Sequence, residues 1–156
     1  MIQRVQSIYL LLVTVVLSFV LVRPYADTSL TDSRELQFKA HAITIQSGEE
    51  TVSVYKSTIP VVLLIVVSGL LSFVTIFLYT HRILQIRLTF LNMILIIVLI
   101  GTMLSYYLSV QHGNATDESN FRLGMAFPFL ALVFSTMAIR SIRHDELLVK
   151  SYDRIR

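Results

Sequence analysis

The sequence predicts an all-α membrane protein: a four-transmembrane-helix up-down bundle with a β-hairpin in the first extracytoplasmic loop and an amphipathic C-terminal helix. Of the 156 residues, 54% are hydrophobic and only 15% are charged, whereas soluble domains carry about 25% charged residues. The charges are absent from four stretches, residues 5–22, 59–80, 88–110 and 123–139. As helices these stretches are about 25–35 Å long, close to the ~30 Å hydrocarbon thickness of a bilayer. They form one domain, 1–156.

The first stretch follows a single early Arg in "MIQRVQSIYLLLVTVVLSFVLVRPYADTS", so a cleaved signal peptide is the alternative to a retained helix. Signal peptides have apolar regions of about 7–15 residues that end at a small-x-small site. The uncharged stretch here has 18 residues, and cleavage after Ala26 would put Pro24 at the minus-three position. We therefore expect a retained transmembrane helix.

The outer loop, residues 23–58, predicts a β-hairpin. Apolar residues alternate in "ELQFKAHAITI" and in "TVSVY", and "QSGEE" supplies a glycine-containing turn between them. The alternation slips between Ala42 and Ile43, which indicates either a bulge or an error in this strand prediction. A lone hairpin is marginal in water, so we expect its apolar face to pack on the helix ends or on a partner.

Local signals mark the later helices. Thr58 before Pro60 predicts a capped helix start. The connection 81–87 is only seven residues long, so the second and third helices should run antiparallel. Pro128 either kinks the fourth span or lies in its first turns. The tail, 140–156, gathers apolar residues within about 140° of a helical projection, and it either lies on lipid headgroups or docks a partner.

Basic residues predict the orientation. Eight of the thirteen lie in the N-terminus, the second connection and the tail, and five lie in the first and third connections. Because cytoplasmic segments carry an excess of Lys and Arg, both termini should be cytoplasmic.

Few residues offer chemistry. The chain has no Cys, which excludes disulfides and thiolate sites, and none of the four stretches holds a charged residue or a His. Small residues at one-turn spacing, such as Ser68 and Ser72, favour close helix packing. Asn92 is costly in lipid and should hydrogen-bond another helix. We predict no catalytic, cofactor-binding or metal site, no cofactor and no nucleic-acid partner; membrane lipids and other inner-membrane proteins are the expected partners.

Three stretches carry a family resemblance: "MIQRVQSIYLLL", "HRILQIRLTFLN" and "IRSIRHDELLVKSYDRIR". Together they resemble the small four-span inner-membrane proteins of Bacteroidota that form a domain-of-unknown-function family. The resemblance implies a protein with four helices in a bacterial inner membrane and no known activity. It also suggests a candidate cytoplasmic interaction face made of the motif residues, which are Gln3, Arg4, Arg82, Gln85, Arg87, Asp145, Glu146 and Arg154.

The sequence supports one main function hypothesis: a non-catalytic accessory or scaffold subunit of a membrane assembly. The alternative is a small transporter or lipid-handling protein, which needs a cavity between the helices lined by residues such as Ser72, Asn92 and Tyr106. An enzyme acting on phospholipid headgroups through Arg82, Arg87, Asp145 and Glu146 is disfavoured, because topology already explains Arg at helix ends.

Overall fold

Four long helices make up most of the protein. The computed structural model describes residues 3–30, 34–47, 50–78, 81–113 and 119–153, and the side chains of 6–28, 35–46, 53–78, 81, 83–112 and 120–144. The helices are α1 (Gln3–Val22), α2 (Ile59–Phe77), α3 (Arg82–Gly113) and α4 (Ala126–Asp153), and a single 3-10 turn, Leu123–Met125, precedes α4. α1 and α3 each pack against both α2 and α4.

Three of the helices are long and apolar enough to cross a membrane. These segments are Ile59–Phe77, Ile83–His112 and Leu123–His144, and Gln6–Val22 in α1 is a shorter apolar helix. The predicted span 59–80 thus ends as a helix at Phe77, with residues 79–80 outside the described part. The predicted span 88–110 extends at both ends, because α3 begins at Arg82 and ends at Gly113.

Every helix buries a stripe with heptad spacing. Buried positions recur at intervals of three and four residues, which alternate in α1, α2 and α4; in α3 the adjacent buried residues Leu99 and Ile100 break the alternation once. The buried positions are 6, 10, 13, 17 and 20 in α1; 61, 65, 68, 72 and 75 in α2; 85, 89, 92, 96, 99, 100, 103, 107 and 110 in α3; and 128, 131, 135, 138 and 142 in α4. This spacing is typical of left-handed packing with helix crossing angles near +20°.

The outward faces of the helices are apolar. Large side chains such as Leu11, Leu70, Phe90 and Val133 are about half exposed, which suits contact with lipid tails rather than with water. Hydroxyl groups on these faces are satisfied within their own helix; the Thr102 hydroxyl, for example, donates to the Val98 carbonyl over 2.7 Å. A hydrogen bond from a hydroxyl to a carbonyl of its own helix satisfies the hydroxyl donor in a lipid environment, where water cannot do so.

A five-stranded antiparallel sheet replaces the predicted hairpin. Its strands are β1 (Ala26–Leu30), β2 (Arg34–Phe38), β3 (Ala42–Ser47), β4 (Glu50–Ser57) and β5 (Ser119–Phe121). Their order is β4-β3-β2-β1-β5. The hairpin prediction is correct for β3 and β4, although the turn residues 48–49 lie outside the described part. It is incomplete because β1 and β5 extend the sheet and because "ELQFKAHAITI" is two strands.

The slip in alternation near Ala42 has a structural cause. The chain turns back between Phe38 and Ala42, and the Lys39 amide donates to the Ala42 carbonyl over 3.1 Å. The register between β3 and β4 also shifts after Ile43 and again after Ile45. A turn and two irregularities therefore lie where one continuous strand was predicted.

One face of the sheet packs on the helix ends, as expected. Phe38 is fully buried, and its ring lies 5.8 Å from that of Tyr25 and 5.7 Å from that of Tyr107 at the end of α3. The Tyr107 ring lies 4.8 Å from Phe121 in β5. Because burying a Phe side chain contributes about 1.5–3 kcal/mol, these rings fasten the sheet to α3.

The start of α2 confirms the predicted helix boundary and corrects the predicted cap. Pro60 lies in the first turn, but the Thr58 side chain makes no cap hydrogen bond. Its hydroxyl donates instead to the carbonyl of Ala40 over 2.8 Å. Thr58 therefore ties the turn between β2 and β3 to the first residue of α2.

The fourth helix settles two open points. Pro128 lies in the first turn of α4, where its missing amide has no helical partner to lose. The predicted helical tail is present as far as Asp153, but it continues α4 without a break. The rest of the tail, 154–156, lies outside the described residues.

Candidate functional site

The predicted cytoplasmic face is only partly visible in the structure. Arg87 is exposed on the second turn of α3. Gln3, Arg4, Arg82, Asp145 and Glu146 lie on helices, but their side chains are outside the described set, and Arg154 is outside it entirely. α2 and α3 join at this end of the helices, which is also where α1 begins.

Gln85 does not belong to an exposed face. Its side chain is 1% exposed, and its amide Nε2 donates to the Thr75 carbonyl of α2 over 3.3 Å. Its Oε1 is buried with no partner among the described atoms. The motif "HRILQIR" therefore places Gln85 inside the helix packing, where it connects α3 to α2.

Gln85 is part of a buried polar seam in the half of the helices far from the sheet. The seam consists of Gln6, Ser68, Ser72, Thr75, Gln85, Thr89 and Asn92. The half near the sheet is apolar, with residues such as Leu17, Ile65 and Met103 in its core. The change from apolar to polar packing therefore occurs partway along every one of α1, α2 and α3.

Asn92 is the centre of this seam. Its Oδ1 accepts from the Ser68 hydroxyl over 2.5 Å, and its Nδ2 donates to the Ser72 hydroxyl over 2.7 Å. The predicted interhelical hydrogen bond of Asn92 is thereby confirmed, and it is double. The predicted small-residue pair, Ser68 and Ser72, acts through these bonds as well as through its size.

A groove opens at the other end of the helices, where the sheet begins. This rim groove has a volume of about 600 Å³ and lies between the end of α1 and the start of α4. Its lining residues are Phe19, Arg23, Pro24, Phe121, Arg122, Leu123, Gly124 and Phe127. The rings of Phe19 and Phe127 are stacked with centroids 5.8 Å apart. The rim groove thus combines an aromatic wall with two arginines.

The two arginines differ in their surroundings. Arg23 directly follows α1 and is exposed. Arg122 is about half exposed, and its Nε donates to the Asp27 carboxylate in an ion pair that links the start of α4 to β1. The Arg122 amide also donates to the Tyr25 carbonyl over 3.0 Å. Arg122 is therefore held in place at backbone and side chain.

A second groove of about 420 Å³ lies on the far side of Arg122. Its other lining residues are Leu104, Phe121, Met125, Ala126 and Phe129. Since Phe121 and Arg122 line both grooves, β5 forms the ridge between them. This ridge is absent from the sequence prediction, because a three-residue strand has too little pattern to be recognised.

The comparison with known families agrees with the resemblance seen in the sequence. A family model described as a domain of unknown function (DUF4293) matches residues 2–155. The chain belongs to this family. No match to a curated protein is found. Because the DUF4293 family has no assigned function, the roles of the rim groove and the polar seam have to be inferred from their own residues.

Neither region of the DUF4293 chain resembles a metal centre. Within the described ranges, no three His, Asp or Glu side chains come together in a way that could hold a metal ion.

Tyr25, behind the rim groove, has a buried hydroxyl with no partner in the described part of the chain. Burial, together with the nearby Tyr106, raises its pKa above the usual range, so it stays protonated.

Proposed function

We propose that this chain is a non-catalytic accessory or scaffold subunit of an assembly in the bacterial inner membrane. The observation that carries the proposal is the way buried polar groups are used. Asn92 links Ser68 and Ser72 of the neighbouring helix, and the buried side chains of the described residues include no Asp, Glu, His, Lys or Arg. Such an interior holds helices together and supplies no acid or base for catalysis.

The proposal includes four membrane crossings, with α1 as the fourth. α1 has the same construction as the three longer helices: a buried stripe of heptad spacing and an exposed apolar face, formed by Ile8, Leu11, Val15 and Phe19. Its uncharged stretch of 18 residues is about 27 Å long as a helix. Small adjustments of tilt or bilayer thickness accommodate a helix of that length.

Both termini are proposed to be cytoplasmic, which puts the sheet outside. Eight basic residues would then lie inside and five outside. Of the outer five, Arg122 is already paired with Asp27. The sheet, seated on the apolar half of the helices, would form a rigid outer platform.

The platform offers a partner one conspicuous contact, the edge strand β4. It pairs with β3 on one side and lies at the end of the sheet on the other. Val54 and Tyr55 on this strand are 65% and 50% exposed. An edge strand with exposed apolar side chains is a common docking element for another chain.

Purification from native membranes in mild detergent tests the proposal. We expect a second membrane protein to co-purify in a fixed ratio, and Val54→Lys to reduce that ratio at least about tenfold, since a charge on a packed edge costs about 1.4 kcal/mol or more. His41→Lys adds the same charge at an exposed position in the turn between β2 and β3, outside the edge strand, and serves as the matched control. A homogeneous monomer with no associated protein would contradict the accessory role.

A second candidate function is a small transporter or lipid-handling protein with a cavity between the helices. The observation that favours its lipid-handling form is the rim groove between α1 and α4. Exchange of fluorescent phospholipids between vesicles that contain the purified protein would support this function. An exchange rate equal to that of protein-free vesicles would contradict it.

A further inference from the structure

The rim groove is divided into a charged end and an apolar end. Arg23 follows the last residue of α1, and Arg122 precedes the turn that leads into α4. Phe19 and Phe127 lie about one helical turn further into the helices, roughly 5–6 Å deeper along each axis. The cations are therefore at the level where the uncharged stretches end, and the aromatic wall lies below them.

This division matches an amphiphile whose charge is negative. The Arg23 and Arg122 guanidinium groups contribute two positive charges, and the Asp27 carboxylate bound to Arg122 removes one. The net charge of the groove is thus +1, which complements the single negative charge of a phosphodiester. The bond from Arg122 to Asp27 uses Nε, and the Arg122 side chain is 48% exposed. Its guanidinium has further N–H donors at the terminal nitrogens, and arginine pairs with phosphate through parallel hydrogen bonds.

We propose that the rim groove is a binding site for an anionic phospholipid, with the phosphate between Arg23 and Arg122 and an acyl chain along Phe19, Leu123 and Phe127. A zwitterionic lipid fits less well, because the described residues that line the groove offer its ammonium group no carboxylate, and the free Oδ1 of the neighbouring Asp27 is buried. Asp27 is a positioning residue, since it orients Arg122 and does not face the ligand. The site rests on the proposed membrane crossing of α1 and α4, and it is independent of the accessory role.

The test measures lipid binding to the full-length protein in a neutral detergent by native mass spectrometry. The probes are a phosphatidylglycerol, a phosphatidylcholine of the same chain length, and inorganic phosphate as a competitor. Both lipids carry the same phosphodiester, so the comparison depends on the choline cation, which cancels the negative charge of the lipid and would lie beside the two arginines. We expect the phosphatidylglycerol to bind at least about tenfold more tightly than the phosphatidylcholine. Inorganic phosphate at the same concentration should not displace it, since it lacks an acyl chain.

Variants locate the site. Arg23→Gln should reduce the preference for phosphatidylglycerol about tenfold, whereas Arg140→Gln, at an exposed position of α4 far from the groove, should leave it unchanged. Leu123→Asn removes an 81% exposed apolar side chain from the groove, so it should weaken both lipids equally without unfolding the protein. Arg122→Gln also breaks the Asp27 ion pair, so its effect is interpreted only alongside an unchanged melting temperature.

Three results would overturn the proposal. The first is equal affinity for the two lipids, and the second is an equal effect of Arg23→Gln and Arg140→Gln. The third is displacement of the lipid by inorganic phosphate alone, which would indicate an anion site in place of a lipid site. Failure of the accessory role would show as the absence of a co-purifying protein, and it would leave the lipid preference unaffected.

Discussion

At the scale of single residues, one glycine decides how closely two connections pass. Gly124 is buried where the turn before α4 crosses the chain that leaves α1. A Cβ at this position would lie 2.7 Å from the Pro24 carbonyl carbon and 2.8 Å from the Tyr25 Cα. Both are backbone atoms, which cannot rotate away as a side chain can. The rim groove therefore depends on the absence of a single methyl group.

We expect Gly124→Ala to destabilise the protein by about 1–3 kcal/mol, the usual cost of inserting a methyl group into a packed site. The thermal midpoint in detergent should fall accordingly. Gly101→Ala is the matched control, because a Cβ there meets nothing within 4 Å. Equal thermal midpoints for the two variants would show that the backbone contact between Gly124 and Pro24 is not tight enough to exclude a methyl group.

Asn92 is the second residue whose replacement is informative. Asn92→Ala removes two interhelical bonds, so the Ser68 hydroxyl loses its acceptor and the Ser72 hydroxyl loses its donor. Polar contacts in membrane helices contribute about 0.6–1.7 kcal/mol, so we expect a loss of about 1 kcal/mol in the free energy of unfolding. The Thr102 hydroxyl bonds only within its own helix, so Thr102→Ala should change this free energy by much less. A larger loss for Thr102→Ala than for Asn92→Ala would contradict the role of Asn92.

At the scale of elements, the sheet and the helices are joined by a few specific contacts. Phe38 inserts between Tyr25 and Tyr107, and Thr58 binds the turn between β2 and β3 to α2. The ladder between β1 and β5 links the first connection to the third. These contacts make the sheet part of the same body as the helix ends, and not a separate hairpin.

Removing the central ring should loosen the sheet without melting the helices. Phe38→Ala should cost about 3–5 kcal/mol, as expected for a fully buried Phe. Amide hydrogen exchange should then become faster in β1, β2 and β3, while the amides in the central turns of α2 and α3 stay protected. Val54→Ala, at an exposed position of β4, is the control. Faster exchange spread evenly over all helices would contradict the expectation that the sheet loosens while the helices stay folded.

The predictability of these elements from the sequence follows from how local their signals are. The helices are marked by long uncharged stretches, and the start of α2 by Pro60, so their approximate bounds could be predicted. The turn after Phe38 has the sequence "KAH", with no Gly, Pro, Asn or Asp to indicate it. β5 pairs with a strand about ninety residues earlier, and no local pattern encodes that partner. The rim groove could not be predicted, because Arg23 and Arg122 are about a hundred residues apart in the chain and line one groove only in the folded protein.

At the scale of the whole molecule, the arrangement of the helices fixes which ends lie together. The uncharged stretches and the exposed apolar faces indicate a membrane protein, and three helices are long enough to cross. The ends of α1 and α3 and the starts of α2 and α4 all lie at the sheet. The joint between α2 and α3 lies at the opposite end, so the two ends should be on opposite sides of the membrane.

Single cysteines test this arrangement directly, because the chain has none of its own. Ser53→Cys on β4 and His81→Cys before α3 both replace exposed residues. A membrane-impermeant thiol reagent should label the first in cells with a permeable outer envelope and the second only after the inner membrane is opened. Labelling of both without that step would rule out the proposed orientation.

The pairing of β1 with β5 has a consequence for the covalent chain. It joins the polypeptide before α2 to the polypeptide after α3, so the loop between α2 and α3 is not what keeps the two halves together. A protein cut in that loop, or expressed as two separate pieces, should still assemble, because β1 pairs with β5 at the end of the helices opposite the cut.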